Sequence, residues 1–129
     1  MELKILRLPH NKVLPEYKTD GASGMDLSAA IEKPVTLKSL ERKLIPTGIK
    51  IEIPNGYEAQ VRARSGLSIK HGITLINAIG TIDADYRGEV CVPVVNLSAE
   101  EYTIQPQERI AQMAVSYTHL RAHETVLDL

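Results

Sequence analysis

Apolar residues fall in short runs rather than long helical stripes, over Leu3–Leu8, Met25–Ala30, Val35–Lys38, Lys43–Ile53, Tyr57–Arg62, Ile73–Ile76, Gly88–Asn96, Tyr102–Ile104 and Arg109–Val115. Several alternate with a period of two. In Ile49-Lys50-Ile51-Glu52-Ile53 the isoleucines share one strand face and the charges the other, and Val90, Val92 and Val94 share a face in the same way. Pro93 cannot donate to a ladder, which predicts an edge or a bulge there. Turn signals at Pro54-Asn55-Gly56, Asp83–Gly88 and Gln105-Pro106-Gln107 separate the runs. Many short strands at this spacing predict an all-β, jelly-roll-like sandwich or barrel. One short helix is expected over residues 66–71, capped by Ser65 and ended by a left-handed Gly72. A second helical patch, His119–Leu129, has no Gly or Pro and is out of character with the rest.

Composition sharpens this picture. The chain of 129 residues has no Phe, no Trp and only five Tyr, so Ile, Leu and Val must fill the core. Such β-branched residues suit pleated surfaces. The length predicts about one domain, large enough for a core without disulfides. A net charge of −1 gives no basic footprint for nucleic acid. No apolar run approaches the roughly 20 residues that span a bilayer. The opening residues lack the layout of a secretion signal, and the single cysteine, Cys91, fits a reducing compartment. A cytoplasmic location is the expectation.

Candidate chemistry lies in clusters at strand ends. In Gly21–Asp26, small residues let the backbone pass close to another group and Asp26 starts a strand with a carboxylate, although taken alone a loop with an Asx turn is the favoured reading. Arg62 and Arg64 lie on one face of a strand running into the helix N-terminus, where backbone N–H groups and a guanidinium fork suit phosphate oxygens. A cap beside a solvated arginine pair is the plainer alternative. Asn77–Gly88 reads as a hairpin with its turn near Asp83–Gly88. There the Asn77 amide matches a pyrimidine edge, Asp83 can hold and deprotonate a water, and Tyr86 can wall off a sugar. Each also has a plainer reading: Asn77 as a turn former, Asp83 as a turn acceptor and Tyr86 as hydrophobic cover. In Glu108–Met113, Gln112 is expected to share a face with Ile110, which suits a ligand or an interface hydrogen bond. His119 and His123 have the spacing of a helical metal pair but no third ligand. His10 and His71 have no evident partner, and Cys91 lacks a neighbouring His.

In this order and spacing the clusters resemble the trimeric deoxyuridine triphosphate nucleotidohydrolases, the dUTPases, over roughly residues 1–115. The resemblance implies a jelly-roll homotrimer with active sites at subunit interfaces, cleaving dUTP to dUMP and pyrophosphate by attack of water at the α-phosphate. It implies Mg²⁺ on the triphosphate. Asn77 would read uracil with backbone from Gly80, Thr81, Ile82 and Asp83 and near Cys91. Tyr86 would pack on the deoxyribose, Asp83 would activate the water, and Arg64, Ser65 and Gly66 would grip phosphates. Asp26 and Gln112 would contact phosphates or waters of the magnesium shell, Asp26 through water. Arg64, Gln112 and Asp83 would form the catalytic set.

The family ends in a Gly-rich segment with an Arg and an aromatic residue that closes over the nucleotide. Residues 116–129 hold no Gly and no Phe. They read as an atypical tail, a truncation or read-through scar, appended to a β domain over 1–115. Turnover and trimer stability are expected to suffer, because a lid excludes water and completes the phosphate clamp. A non-hydrolysing deoxynucleotide-binding regulatory trimer and a dCTP deaminase, whose chemistry needs a glutamate near the pyrimidine C4, are the alternatives.

Overall fold

The computed structural model describes residues 2–118. Ten strands and one helix follow in chain order: β1 (Lys4–Arg7), β2 (Met25–Ser28), β3 (Val35–Leu37), β4 (Arg42–Glu52), β5 (Tyr57–Arg62), α1 (Ser65–His71), β6 (Ile73–Leu75), β7 (Gly80–Ile82), β8 (Glu89–Asn96), β9 (Tyr102–Ile104) and β10 (Arg109–Tyr117). Two four-stranded sheets, ordered β1-β4-β8-β6 and β2-β10-β5-β7, face each other, and β3 and β9 form a separate ribbon. Every pairing is antiparallel. This is the predicted all-β sandwich, and its inward positions come from the alternation read in sequence. Ile49, Ile51 and Ile53 are buried, as are Val90, Val92 and Val94 on the neighbouring strand β8. Leu27, Ile110 and Met113 meet them from the second sheet, so aliphatic side chains fill the buried core, with Tyr57 and Tyr102 packed at its margin. Burial of such side chains stabilises by about 1.5–3 kcal/mol each relative to exposure.

Several expectations need correction. Asn77–Gly88 is not a hairpin: β7 pairs with β5 in the second sheet, whereas β8 pairs with β4 and β6 in the first. The Asp83–Gly88 turn therefore crosses between the two layers. Pro93 sits inside a central strand rather than on an edge, because it lies opposite the end of β6. Its carbonyl accepts from Ile76 N–H at 2.9 Å, and the N–H that proline lacks would point past the last residue of β6. The helix starts at Ser65 with Arg64 in the cap position and no side-chain cap, so Ser65 belongs to the first turn. Gly72 does end it, with φ of 69°.

A register shift between Arg109 and Ala111 inserts Ile110 as an extra residue in β10. One inserted residue reverses the facing of everything after it. Ile110, Ala111 and Met113 all enter the core, and Gln112 turns to the outer face instead of sharing one with Ile110. β10 also continues to Tyr117, two residues beyond the boundary drawn at Val115, with Tyr117 edge-on to Tyr57 at 5.4 Å. The helical patch His119–Leu129, with His119 and His123, lies outside the described residues.

Candidate active site

The inter-sheet crossing forms one wall of a cleft of about 350 Å³. Asn77, Gly80, Thr81, Ile82, Asp83, Tyr86 and Cys91 line it together, which are the seven residues nominated from sequence for base, sugar and water. Local geometry explains the gathering. Leu75 O accepts from Ala78 N–H at 3.1 Å, and Ala78 takes a left-handed φ of 64°, which turns the chain sharply from β6 into β7. A non-glycine residue in that region is strained, and such strain collects at functional sites. At the other end Tyr86 N–H bonds Asp83 O at 3.1 Å, and the Tyr86 hydroxyl donates to Glu89 O at 2.7 Å. Gly88 is required beside it, since a Cβ there would lie 2.5 Å from the Tyr86 hydroxyl. Among the described residues no side chain bonds the Asp83 carboxylate, which lines this cleft and also a second crevice beside Tyr57 and Glu58. Burial, and then the Glu89 charge, push the Cys91 thiol above its ordinary range, so it stays protonated.

A second group forms on the outer face of the other sheet. Asp26 on β2, Gln112 on β10 and Arg62 on β5 stand directly opposite one another across three strands. The Asp26 carboxylate, one-fifth exposed, is held between Arg64 Nε and a terminal guanidinium nitrogen of Arg109, each at 3.3 Å. Arg64 also donates to Arg109 O at 3.2 Å, and Gln112 Nε2 donates to Ala63 O at 3.1 Å. Gly24 fits only because it lacks a Cβ, which would lie 2.8 Å from Gln112 Oε1. Arg62 turns away and bonds Gln60 Oε1 at 2.7 Å, so the two arginines of Arg62-Ala63-Arg64 do not act as a pair. Ser65 and Gly66 are exposed at the start of α1, with open space where a Gly66 Cβ would be.

Thus the expected residues separate into a nucleoside-sized cleft and a charged group of Asp26, Arg64 and Gln112. No hydrogen bond or shared lining joins the two groups among the described residues. Sequence reading gave no role to Arg109, Glu89 or His10. Arg109 stood inside a nominated cluster, but the bulge that aims it at Asp26 leaves no pattern in the sequence. Of the cleft residues Glu89 offers the glutamate that a deaminase would need, but its carboxylate is engaged by Gly48 N–H at 2.9 Å and His10 Nε2 at 2.7 Å. Among the described residues no three His, Cys, Asp or Glu gather as a metal cage. Asp26 supplies one carboxylate, a donor set that suits an ion arriving on substrate phosphates with its own waters.

Fold and site together define an all-β sandwich protein, with a cleft lined by an amide, a carboxylate and a tyrosine ring and a separate charged group on the outer face of the second sheet. Comparison with known proteins narrows that class. A family model described as dUTPase matches residues 10–128. The deoxyuridine 5'-triphosphate nucleotidohydrolase of Finegoldia magna is 66% identical over 113 residues, covering 88% of this chain and 78% of the relative. That of Aquifex aeolicus is 60% identical over 116 residues, covering 88% and 77%. The crystal structure of dUTPase from Streptococcus mutans superposes with a TM-score of 0.80 at 25% identity, covering 91% of this chain and 97% of that one. A phage phi11 dUTPase mutant, whose structure describes coordination of a structural Mg(II) ion, shares the fold with a TM-score of 0.84 at 23% identity over 94% of both chains. The chain belongs to the dUTPase family.

Proposed function

We propose that this chain is a dUTP diphosphatase, hydrolysing dUTP to dUMP and pyrophosphate, limiting uracil in DNA and supplying dUMP. The observation that carries the reading is the single cleft uniting Asn77, Tyr86 and an Asp83 whose carboxylate no described side chain bonds. Asn77 offers donor and acceptor to the uracil amide edge, and the β7 backbone from Gly80 to Asp83 completes a narrow slot that disfavours a 5-methyl group. Tyr86, fixed by its bond to Glu89 O, lies along the deoxyribose where a 2'-hydroxyl would clash. Asp83 holds the attacking water and takes its proton as the water adds to the α-phosphate. Positioning and charge stabilisation suffice for this chemistry, without a covalent nucleophile.

Arg64, Ser65, Gly66 and Gln112 bind the phosphates, and Asp26 would hold Mg²⁺ through water. The ion, when bound, neutralises phosphate charge. Because the two groups of residues stand apart within one chain, the complete site forms between subunits of a homotrimer. An exposed apolar row beside the cleft supports this assembly: Leu44, 65% exposed, stands opposite Pro93, with Ile76, 48% exposed, next along. No described helix is long and apolar enough to cross a membrane; the cytoplasm as the place of action is part of this proposal.

The test mixes subunits. Asp83→Asn and Arg64→Ala chains are each expected to release little pyrophosphate from dUTP. Unfolded and refolded together, they regain activity through sites that draw Asp83 from one chain and Arg64 from another. The assay is run on this chain alone and fused to a Gly-rich, Arg-bearing closing segment. Mixtures no more active than either parent would contradict a site shared between chains.

A further inference from the structure

The β4–β8 ladder is broken behind the cleft. Pro46 pairs with Cys91 and Lys50 with Glu89, so between these pairs β4 has three residues where β8 has only Val90. The bowed residues 47–49 must find other partners for their backbone groups. Leu8 N–H donates to Gly48 O at 2.8 Å, and Asn11 Nδ2 donates to Thr47 O at 2.9 Å. The Thr47 hydroxyl donates to Val90 O, and Glu89 Oε2 accepts from Gly48 N–H at 2.9 Å. Gly48 has φ of 72°, and a Cβ on it would lie 2.7–2.9 Å from Asn11 atoms. The segment 8–11 is therefore a hook seated in the break. Its His10 reaches across to Glu89, Nε2 to Oε2 at 2.7 Å, on the same oxygen that accepts from Gly48. An ionised carboxylate only accepts, so His10 Nε2–H is the donor.

We propose that His10 is a positioning residue for the nucleoside cleft, acting through Glu89 on the Tyr86 wall; the inference rests on the function proposed above. Glu89 joins the two parts. Its side chain is held by the hook, and its backbone carbonyl is the acceptor for the Tyr86 hydroxyl at 2.7 Å. Cys91, at the other side of the break, also lines the cleft. An exposed ion pair would contribute little, but Glu89 is only 25% exposed and its oxygen is shared with a backbone amide. Removing His10 leaves that carboxylate one donor short, freeing Glu89 to shift and carry the Tyr86 acceptor with it.

The measurement is calorimetric binding of dUMP and UMP to the full chain and its His10→Ala, His10→Gln and Glu89→Gln variants, with folding checked by circular dichroism. A hydrogen bond to a charged group supports about a tenfold effect. His10→Ala is expected to weaken dUMP about tenfold with little change for UMP, compressing the preference. His10→Gln, which keeps a donor, restores most of it, and Glu89→Gln behaves like His10→Ala. An unchanged preference in folded His10→Ala, or an equal loss for both nucleotides, overturns the positioning role. If His10→Ala does not fold, unchanged preference in both other variants overturns it. A parent chain that binds neither nucleotide overturns the proposed function, and this inference with it, which is a different result from an unmoved ratio.

Discussion

Gly88→Ala is the sharpest perturbation of the sugar wall proposed for Tyr86. A Cβ at Gly88 would lie 2.5 Å from the Tyr86 hydroxyl, 2.7 Å from Cζ and 3.1 Å from Cε1. Comfortable carbon contacts begin near ~3.5 Å, so the ring must move by about 1 Å. The intruded group is a side chain and not backbone, and the ring can swing while the fold stays intact. Moving it breaks the hydrogen bond to Glu89 O, at a net cost of about 1 kcal/mol. An off-rotamer ring adds about 0.5–1.5 kcal/mol. Together these predict a loss of roughly 1.5–2.5 kcal/mol, or about 10–70-fold, in discrimination between deoxyribose and ribose. The assay is pyrophosphate release from dUTP and UTP, compared as the ratio of kcat/KM values, alongside the thermal midpoint. The ratio should fall by at least about tenfold while the midpoint moves only a few degrees. A folded variant with an unchanged ratio would refute the role of Tyr86 as sugar wall.

Other consequences are as direct. Asn96 is fully buried and makes four bonds, donating to Leu37 O and Glu100 O and accepting from Ser98 N–H and Oγ. Asn96→Ala removes all four side-chain bonds and takes a donor from the buried Leu37 carbonyl, so urea unfolding at fixed protein concentration should show a loss of about 3 kcal/mol. The Tyr102 hydroxyl is pushed above its ordinary value of 10.0 by burial, then by its hydrogen bond to Glu108 and by that residue's charge. The unfolded tyrosine ionises first, so this stabilising contribution is whole below pH 10 and disappears as pH rises through the folded value. Tyr102→Phe should therefore flatten the alkaline fall of the thermal midpoint. Cys91, also raised, should react with iodoacetamide at pH 8 more slowly than a free cysteine peptide, and equal rates would contradict its shielding.

Strands with clean alternation were legible in sequence almost to their ends: Ile49, Ile51 and Ile53 face the core as their period requires, and Gly72 stops the helix where a left-handed residue was expected. The failures have specific physical causes. β7 is three residues long and its partner lies in the other sheet, so the turns flanking it resembled those of one hairpin. The bulge at Ile110 is a choice made by packing against β2 and leaves no mark on the pattern of side chains. Pro93 is tolerated inside a sheet only because β6 happens to stop beside it. Candidate residues that gather in one cleft were legible where they cluster locally, as in Asn77–Tyr86. Partners far apart in the chain were not: His10 meets Glu89 across 79 residues, and Arg109 meets Asp26 across 83.

The central claim is that Asp83 directs water onto the α-phosphate of dUTP. It is tested most directly by turnover of dUTP with Mg²⁺ in water enriched in heavy oxygen, followed by mass analysis of both products. The account predicts one heavy oxygen in dUMP and none in pyrophosphate, with release suppressed at least about a hundredfold in Asp83→Asn. Label in pyrophosphate, or an Asp83→Asn chain that keeps its rate, would contradict it.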